Sequence, residues 1–177
     1  YQSYFSPKYA SLVVVGDISE TQVLSKLDYL KSWQGNDYTI PSYKDFPEIS
    51  ANNLYFVDLP NANQSVIKYS RRSMVYDATG DYFKATLMNY PLGSAFNSRI
   101  NLNLREDKGF TYGASSYFSA GKTLGQFVAG ASVKKEHTYD AMIEIEQEIK
   151  NYQANGLTNE EVNFMRQAIS QNDALSY

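Results

Sequence analysis

The chain has 177 residues, room for one domain of ~150 residues and part of another. Apolar residues make up 43% and charged residues 20%, a balance that supports a buried core and excludes a disordered chain. Sixteen basic against nineteen acidic residues give a net charge of −3, which argues against a nucleic-acid footprint; the lack of cysteine and the single histidine, His137, exclude disulfides, thiol catalysis, cysteine zinc sites and most histidine zinc sites made within this chain.

No purely apolar run exceeds that of Leu12-Val13-Val14-Val15, far short of the ~20 residues of a spanning helix, so no membrane-spanning segment is expected. No positively charged, apolar leader opens the chain, and the compartment stays open between periplasm and cytoplasm. The Leu12 run ends at Gly16-Asp17 and reads as a buried strand. Ser19-Glu20-Thr21-Gln22 has the form of a capping box, and Val23, Leu24, Leu27 and Leu30 follow at helical spacing, which predicts a helix over 19–33 stopped by Gly35-Asn36. Residues 34–52, with Gly35, Pro41 and Pro47 and no clear period, read as a linker. The expected organisation is therefore 1–33, a strand–helix tail that cannot bury a core alone, then the linker, then a main unit over 53–177.

That main unit opens with Leu54-Tyr55-Phe56-Val57-Asp58-Leu59, a predicted strand, and a turn over 61–64. Residues 65–73 alternate, with Val66, Lys68, Ser70 and Arg72 on one side and Ile67, Tyr69 and Arg71 on the other, so the two segments are expected to pair as a hairpin. Residues 79–104 turn helical with a break near Pro91 and Gly93, and Phe96, Ile100 and Leu104 are expected on one face. Residues 110–118 and 126–133 read as a second hairpin across the turn at 119–125. A helix over 138–152 carries Met142, Ile145, Ile149 and Tyr152 and stops at Asn155-Gly156. Thr158-Asn159-Glu160-Glu161 is a further capping box, opening a helix through Val162, Met165 and Ile169 that reaches toward Tyr177 without a stop signal, as expected of a piece of a longer chain. The order implies an α+β fold, a mainly antiparallel sheet with helices packed on one face.

Few motifs carry chemistry. Neither H-x-x-E-H nor H-E-x-x-H occurs, and His137, in Lys134-Lys135-Glu136-His137, reads as a surface histidine near a helix start. There is no G-x-S-x-G elbow, and nothing places His137 near a serine. No phosphate-loop spacing is present, and Asn63-Gln64-Ser65 is a glycosylation sequon by pattern only. The most distinctive stretch runs over 92–113. It places Arg105 at the end of a helix and Tyr112 early in a strand, with a glycine turn at Gly109 between them. A guanidinium and a phenol hydroxyl on one side of such a turn suit a peptide carbonyl or a developing oxyanion. The alternative is structural: Arg105 capping helix carbonyls or pairing with Glu106 or Asp107, and Tyr112 packing.

The same stretch resembles the M16 metallopeptidases, the pitrilysin, insulysin and mitochondrial-processing-peptidase group. Their pattern is close to L-G-x-x-x-x-S-R-L-x-x-x-L-R-E-x-x-G-x-x-Y, and Leu92-Gly93, Ser98-Arg99, Leu104-Arg105-Glu106, Gly109 and Tyr112 match it, with Ile100 in place of leucine. Tyr4 and Pro7 ahead of the Leu12 run, and the Thr158 helix, are similar too, so the resemblance covers nearly the whole chain. It implies repeated α/β sandwich domains, two per half, with two halves closing around a peptide. On that pattern, 1–33 resembles the tail of one domain and 53–177 an incomplete copy of the next. The catalytic H-x-x-E-H lies in an earlier domain, so zinc and the general-base glutamate are expected from upstream sequence or a separate subunit. This chain alone is expected to be inactive, with no metal ligand and no cofactor of its own. The resemblance implies that Arg105 and Tyr112 hold the scissile region of the substrate and stabilise its oxyanion. The expected partners are a peptide substrate and a zinc-bearing M16 domain. The alternative implied by the same family is a non-catalytic scaffold, like the respiratory-complex core subunits that share the fold.

Overall fold

A computed structural model describes residues 4–39, 46–49 and 51–174, with side chains through 171. Pro41 in the expected linker and the last residues, 175–177, lie outside the described residues. The chain divides into two compact units, Tyr1–Pro47 and Glu48–Tyr177.

In the first unit the capping box forms as read. Ser19 accepts from the Gln22 N–H while the Gln22 side chain accepts from the Ser19 N–H, and helix α1 (Glu20–Lys26) follows. The helix is shorter than the expected 19–33. Past Leu27 the bonds tighten to three-residue spacing, and Asp28–Ser32 is a 3-10 turn. Among the described residues of this unit only Ser6 is buried, so little tertiary packing opposes the tightening. The strand expected at 12–15 does not form. Leu12 and Val14 line an apolar groove against Val23, Leu24, Leu27 and Leu30, and all four residues of the run remain exposed. A strand exists only through a neighbour's backbone, and none is offered here. Residues read as linker pack instead on the start of the chain: the Lys8 ammonium donates to Asp37, and the Tyr38 ring stands 4.6 Å from that of Tyr9.

The second unit is an α+β arrangement around a three-stranded antiparallel sheet in the order β1 (Gln64–Ser73), β3 (Gly125–Lys134), β2 (Thr111–Ala120). The expected hairpin of 54–59 with 65–73 is not made. Residues 54–59 form no strand, and β1 pairs along its length with β3, from Gln64 opposite Lys134 to Ser73 opposite Gly125. Leu54 to Val57 are about as apolar as a strand can be, yet each is at least 79% exposed. Position in the sheet, not propensity, decides. The hairpin of β2 with β3 forms as read.

Helices α2 (Asp81–Asn89), α4 (Thr138–Asn155) and α5 (Asn159–Ala174) frame a broken helical segment between Tyr90 and Asp107. The core joins one face of the sheet (Ile67, Ala114, Ala129, Ala131, Val133) to Leu92, Ile100 and Leu104 of that segment and to Ala141, Ile145 and Tyr152 of α4. The alternation predicted for β1 holds, with Ile67 and Tyr69 inward and Val66, Lys68 and Ser70 outward.

Candidate functional site

The broken segment decides where the candidate residues stand. Pro91 has no N–H to give, and the chain passes from α2 into a π-helical turn, Tyr90–Ser94, closed by Ala95 N–H on the Tyr90 carbonyl at 3.1 Å. A bend over 95–98 follows, then one turn of helix α3 (Arg99–Asn101) and a second π-helical stretch, Leu102–Asp107. The bend rotates the chain, so the expected single face splits. Ile100 and Leu104 are wholly buried, whereas Phe96 is 65% exposed.

Arg105 lies on the second π-helical stretch, partly exposed. Its guanidinium carbon stands 4.4 Å from the centre of the Phe96 ring, and its Nε lies 3.4 Å from the Glu106 carboxylate. Gly109, at φ +64, takes the left-handed conformation that reverses the chain into β2, and Phe110 N–H closes the reversal on the Leu104 carbonyl at 2.9 Å. Tyr112 then falls on a β-bulge. Thr111 lies opposite Val133 and Ala114 opposite Ala131, so two residues of β2 face one of β3. The Thr111 hydroxyl stabilises the bulge, accepting from the Gly113 N–H at 3.1 Å and donating to the Ser132 carbonyl at 2.6 Å. The bulge turns Tyr112 outward, where it is 91% exposed. Among the described residues no hydrogen bond, ion pair or ring contact joins Arg105 to Tyr112.

What links the two sides of the turn is a residue the motif reading passed over. Asn101 is 4% exposed; its amide donates to the Phe96 carbonyl at 2.7 Å and its carbonyl accepts from the Ala114 N–H at 2.9 Å. One buried side chain thus ties the mount of the Arg105 platform to the strand that carries Tyr112. The available signal was an asparagine directly after the apolar Ile100 in a helical run, where an unpaired amide would be costly. Asn89 acts in the same way twelve residues earlier, at the end of α2. It is 1% exposed, donates to the Ser116 carbonyl at 2.8 Å and accepts from the Ser116 hydroxyl at 2.6 Å. With Tyr82, whose hydroxyl donates to the Phe118 carbonyl at 3.3 Å, these amides close the outer backbone edge of β2. Gly93 lies so close to that edge that a Cβ there would collide with Ser116 N and Oγ.

A second polar cluster holds the helices. Arg99 donates through Nε and Nη2 to the two carboxylate oxygens of Glu161, and through Nη2 to the Gly156 carbonyl at 3.1 Å, while it lies over the Tyr152 ring. The hydrogen bond from Arg99 holds the Glu161 carboxyl below the usual glutamate range. Burial, with the Glu161 charge second, pushes the Tyr152 phenol up to about 12. The Thr158 capping box also forms: Thr158 N–H donates to Glu161, and Glu161 N–H donates to the Thr158 hydroxyl. His137 stacks on Phe110 with ring centres 4.4 Å apart, so it is half-packed rather than fully on the surface. Among the described residues no group of three or more His, Asp or Glu side chains is placed to hold a metal ion. The donor set among the described residues does not fit a zinc site. No helix among the described residues is long and apolar enough to cross a membrane.

The family model for the peptidase M16 inactive domain matches residues 1–169. No curated protein matches the chain. Among solved structures, a peptidase M16 inactive domain from Pseudomonas fluorescens is similar over 64% of this chain and 27% of that one, at 23% identity and a TM-score of 0.60. A protease from Helicobacter pylori is similar over 92% of this chain and 40% of its own, at 17% identity and a TM-score of 0.72. The periplasmic protease PqqL from Escherichia coli is similar over 89% and 18%, at 16% identity and a TM-score of 0.59. The chain thus spans well under half the length of each of these structures.

Proposed function

The chain belongs to the M16 peptidase family, as a match to its inactive domain, and from that premise we propose that it supplies substrate contacts to a zinc-bearing M16 domain that hydrolyses peptides or small proteins. The observation that carries the reading is the pair of donors on either side of the Gly109 turn. Arg105 is backed by an aromatic ring, and Tyr112 is projected into solvent by a bulge. Among the described residues of this unit no packing contact calls for a tyrosine that is 91% exposed. A guanidinium and a phenol hydroxyl each donate to a peptide carbonyl, and both interactions strengthen as negative charge develops on its oxygen. In this reading residues 1–33 are the tail of a preceding domain, 34–52 connect it onward with Asp37 and Tyr38 folded back on its start, and 53–177 are an incomplete copy of the next domain. Zinc is held by the complementary domain, in cis or on a separate subunit. This chain binds and orients the peptide and stabilises charge.

The test uses the complete parent protein with its zinc-bearing domain. Arg105→Ala is expected to lower kcat for a peptide by about 100-fold, and Tyr112→Phe by about 10-fold or more, with zinc content unchanged. Unchanged kinetics in both variants, or a complete parent with no peptidase activity, would remove the reading in favour of the scaffold alternative.

A further inference from the structure

Arg105 has two neighbours, the Glu106 carboxylate and the Phe96 ring. An arginine side chain has several freely rotating bonds, and a surface guanidinium beside a carboxylate tends to be neutralised by it. Here a second contact competes, because the guanidinium lies 4.4 Å from the Phe96 ring centre. That ring is 65% exposed, so it contributes little to the core, yet its mount is rigid. Ala95 and Ser98 on either side are buried, Ser98 N–H closes the bend on the Ala95 carbonyl at 3.1 Å, and Asn101 holds the Phe96 carbonyl at 2.7 Å. Asn101 is the same residue that fixes the Ala114 N–H, two positions past Tyr112.

We propose that Phe96 is a positioning residue of this site: its ring holds the Arg105 guanidinium in one direction, and Asn101 fixes that ring relative to the strand bearing Tyr112. The inference rests on the reading of Arg105 as a substrate contact. A flat aromatic face attracts the guanidinium through its quadrupole, which an aliphatic side chain of similar size does not. Pre-orienting the donor matters most when the carbonyl oxygen gains charge, so the effect falls on kcat rather than KM.

The experiment compares Phe96→Leu and Phe96→Tyr in the complete parent protein, each with Arg105 intact and in the Arg105→Ala background. With Arg105 intact, Phe96→Leu is expected to lower kcat about two- to five-fold with KM and the unfolding midpoint unchanged, and Phe96→Tyr to restore the rate. In the Arg105→Ala background Phe96→Leu is expected to add nothing. Normal turnover in Phe96→Leu while Arg105→Ala is impaired overturns the positioning role alone. A Phe96→Leu defect that persists without Arg105 shows that the ring acts by itself, and likewise overturns it. Normal turnover in Arg105→Ala, or an inactive parent, overturns the underlying reading and this inference with it.

Discussion

The two edges of the sheet differ in how they end. The edge of β2 is closed by side chains. Asn101, Asn89 and Tyr82 bond in turn to Ala114, Ser116 and Phe118, and Gly93 presses its backbone onto Ser116. At the edge of β1 no further strand lies alongside among the described residues, and its outward positions include the cations Lys68 and Arg72. A charged edge discourages pairing but fixes nothing, whereas an edge closed by buried amides fixes the position of whatever is attached to it. The candidate site is attached to the closed edge. The bulge bearing Tyr112 and the bend bearing Phe96 meet at Asn101, so the contacts that seal β2 also join the two segments that carry these residues.

The comparison breaks most easily at Gly93. Gly93→Val is expected to cost about 3 kcal/mol or more, because the new side chain must displace Ser116 and with it the Asn89 bonds. A loss under about 1 kcal/mol in urea unfolding would show that the segment covering β2 gives way freely. A middle effect concerns the clamp behind the site. The folded-state pKa of Glu161 is depressed, so its contribution is complete above the ordinary glutamate value of about 4.3 and is lost as pH falls through the lower folded value. Arg99→Ala removes the largest cause of that depression. The wild-type chain should therefore lose about 1–2 kcal/mol more than Arg99→Ala between pH 7 and pH 3. Equal losses in paired urea titrations would remove the clamp from the account. The smallest effect belongs to the other edge: Lys68→Thr should change stability by no more than about 0.5 kcal/mol. A loss above about 1 kcal/mol would mean that β1 is covered and that the contrast between the edges does not hold.

Local signals were legible where they close within a few residues. The capping boxes at Ser19 and Thr158 need only a side chain and a backbone amide three positions apart, and both form. The second hairpin and the 138–152 helix are also of this kind, each set by its own period and its own turn. The Leu54 run was misread for the opposite reason. Its residues have strand character, but the partner of 64–73 lies about sixty residues on in sequence, at 125–134. Phe96 was misplaced because the helical period was carried through a bend that Pro91 and the π-helical turns impose.

The α+β class and the Arg105–Gly109–Tyr112 spacing were legible in the chain alone, because periodicity and spacing are local properties, and the resemblance of 92–112 to a family pattern pointed to the family. Long-range packing set which apolar runs became strands, how Tyr112 is turned outward, and that Asn101 joins the Phe96 carbonyl to the Ala114 N–H. Those outcomes depend on backbone groups far apart in sequence finding partners, and a single buried amide has no period to announce it.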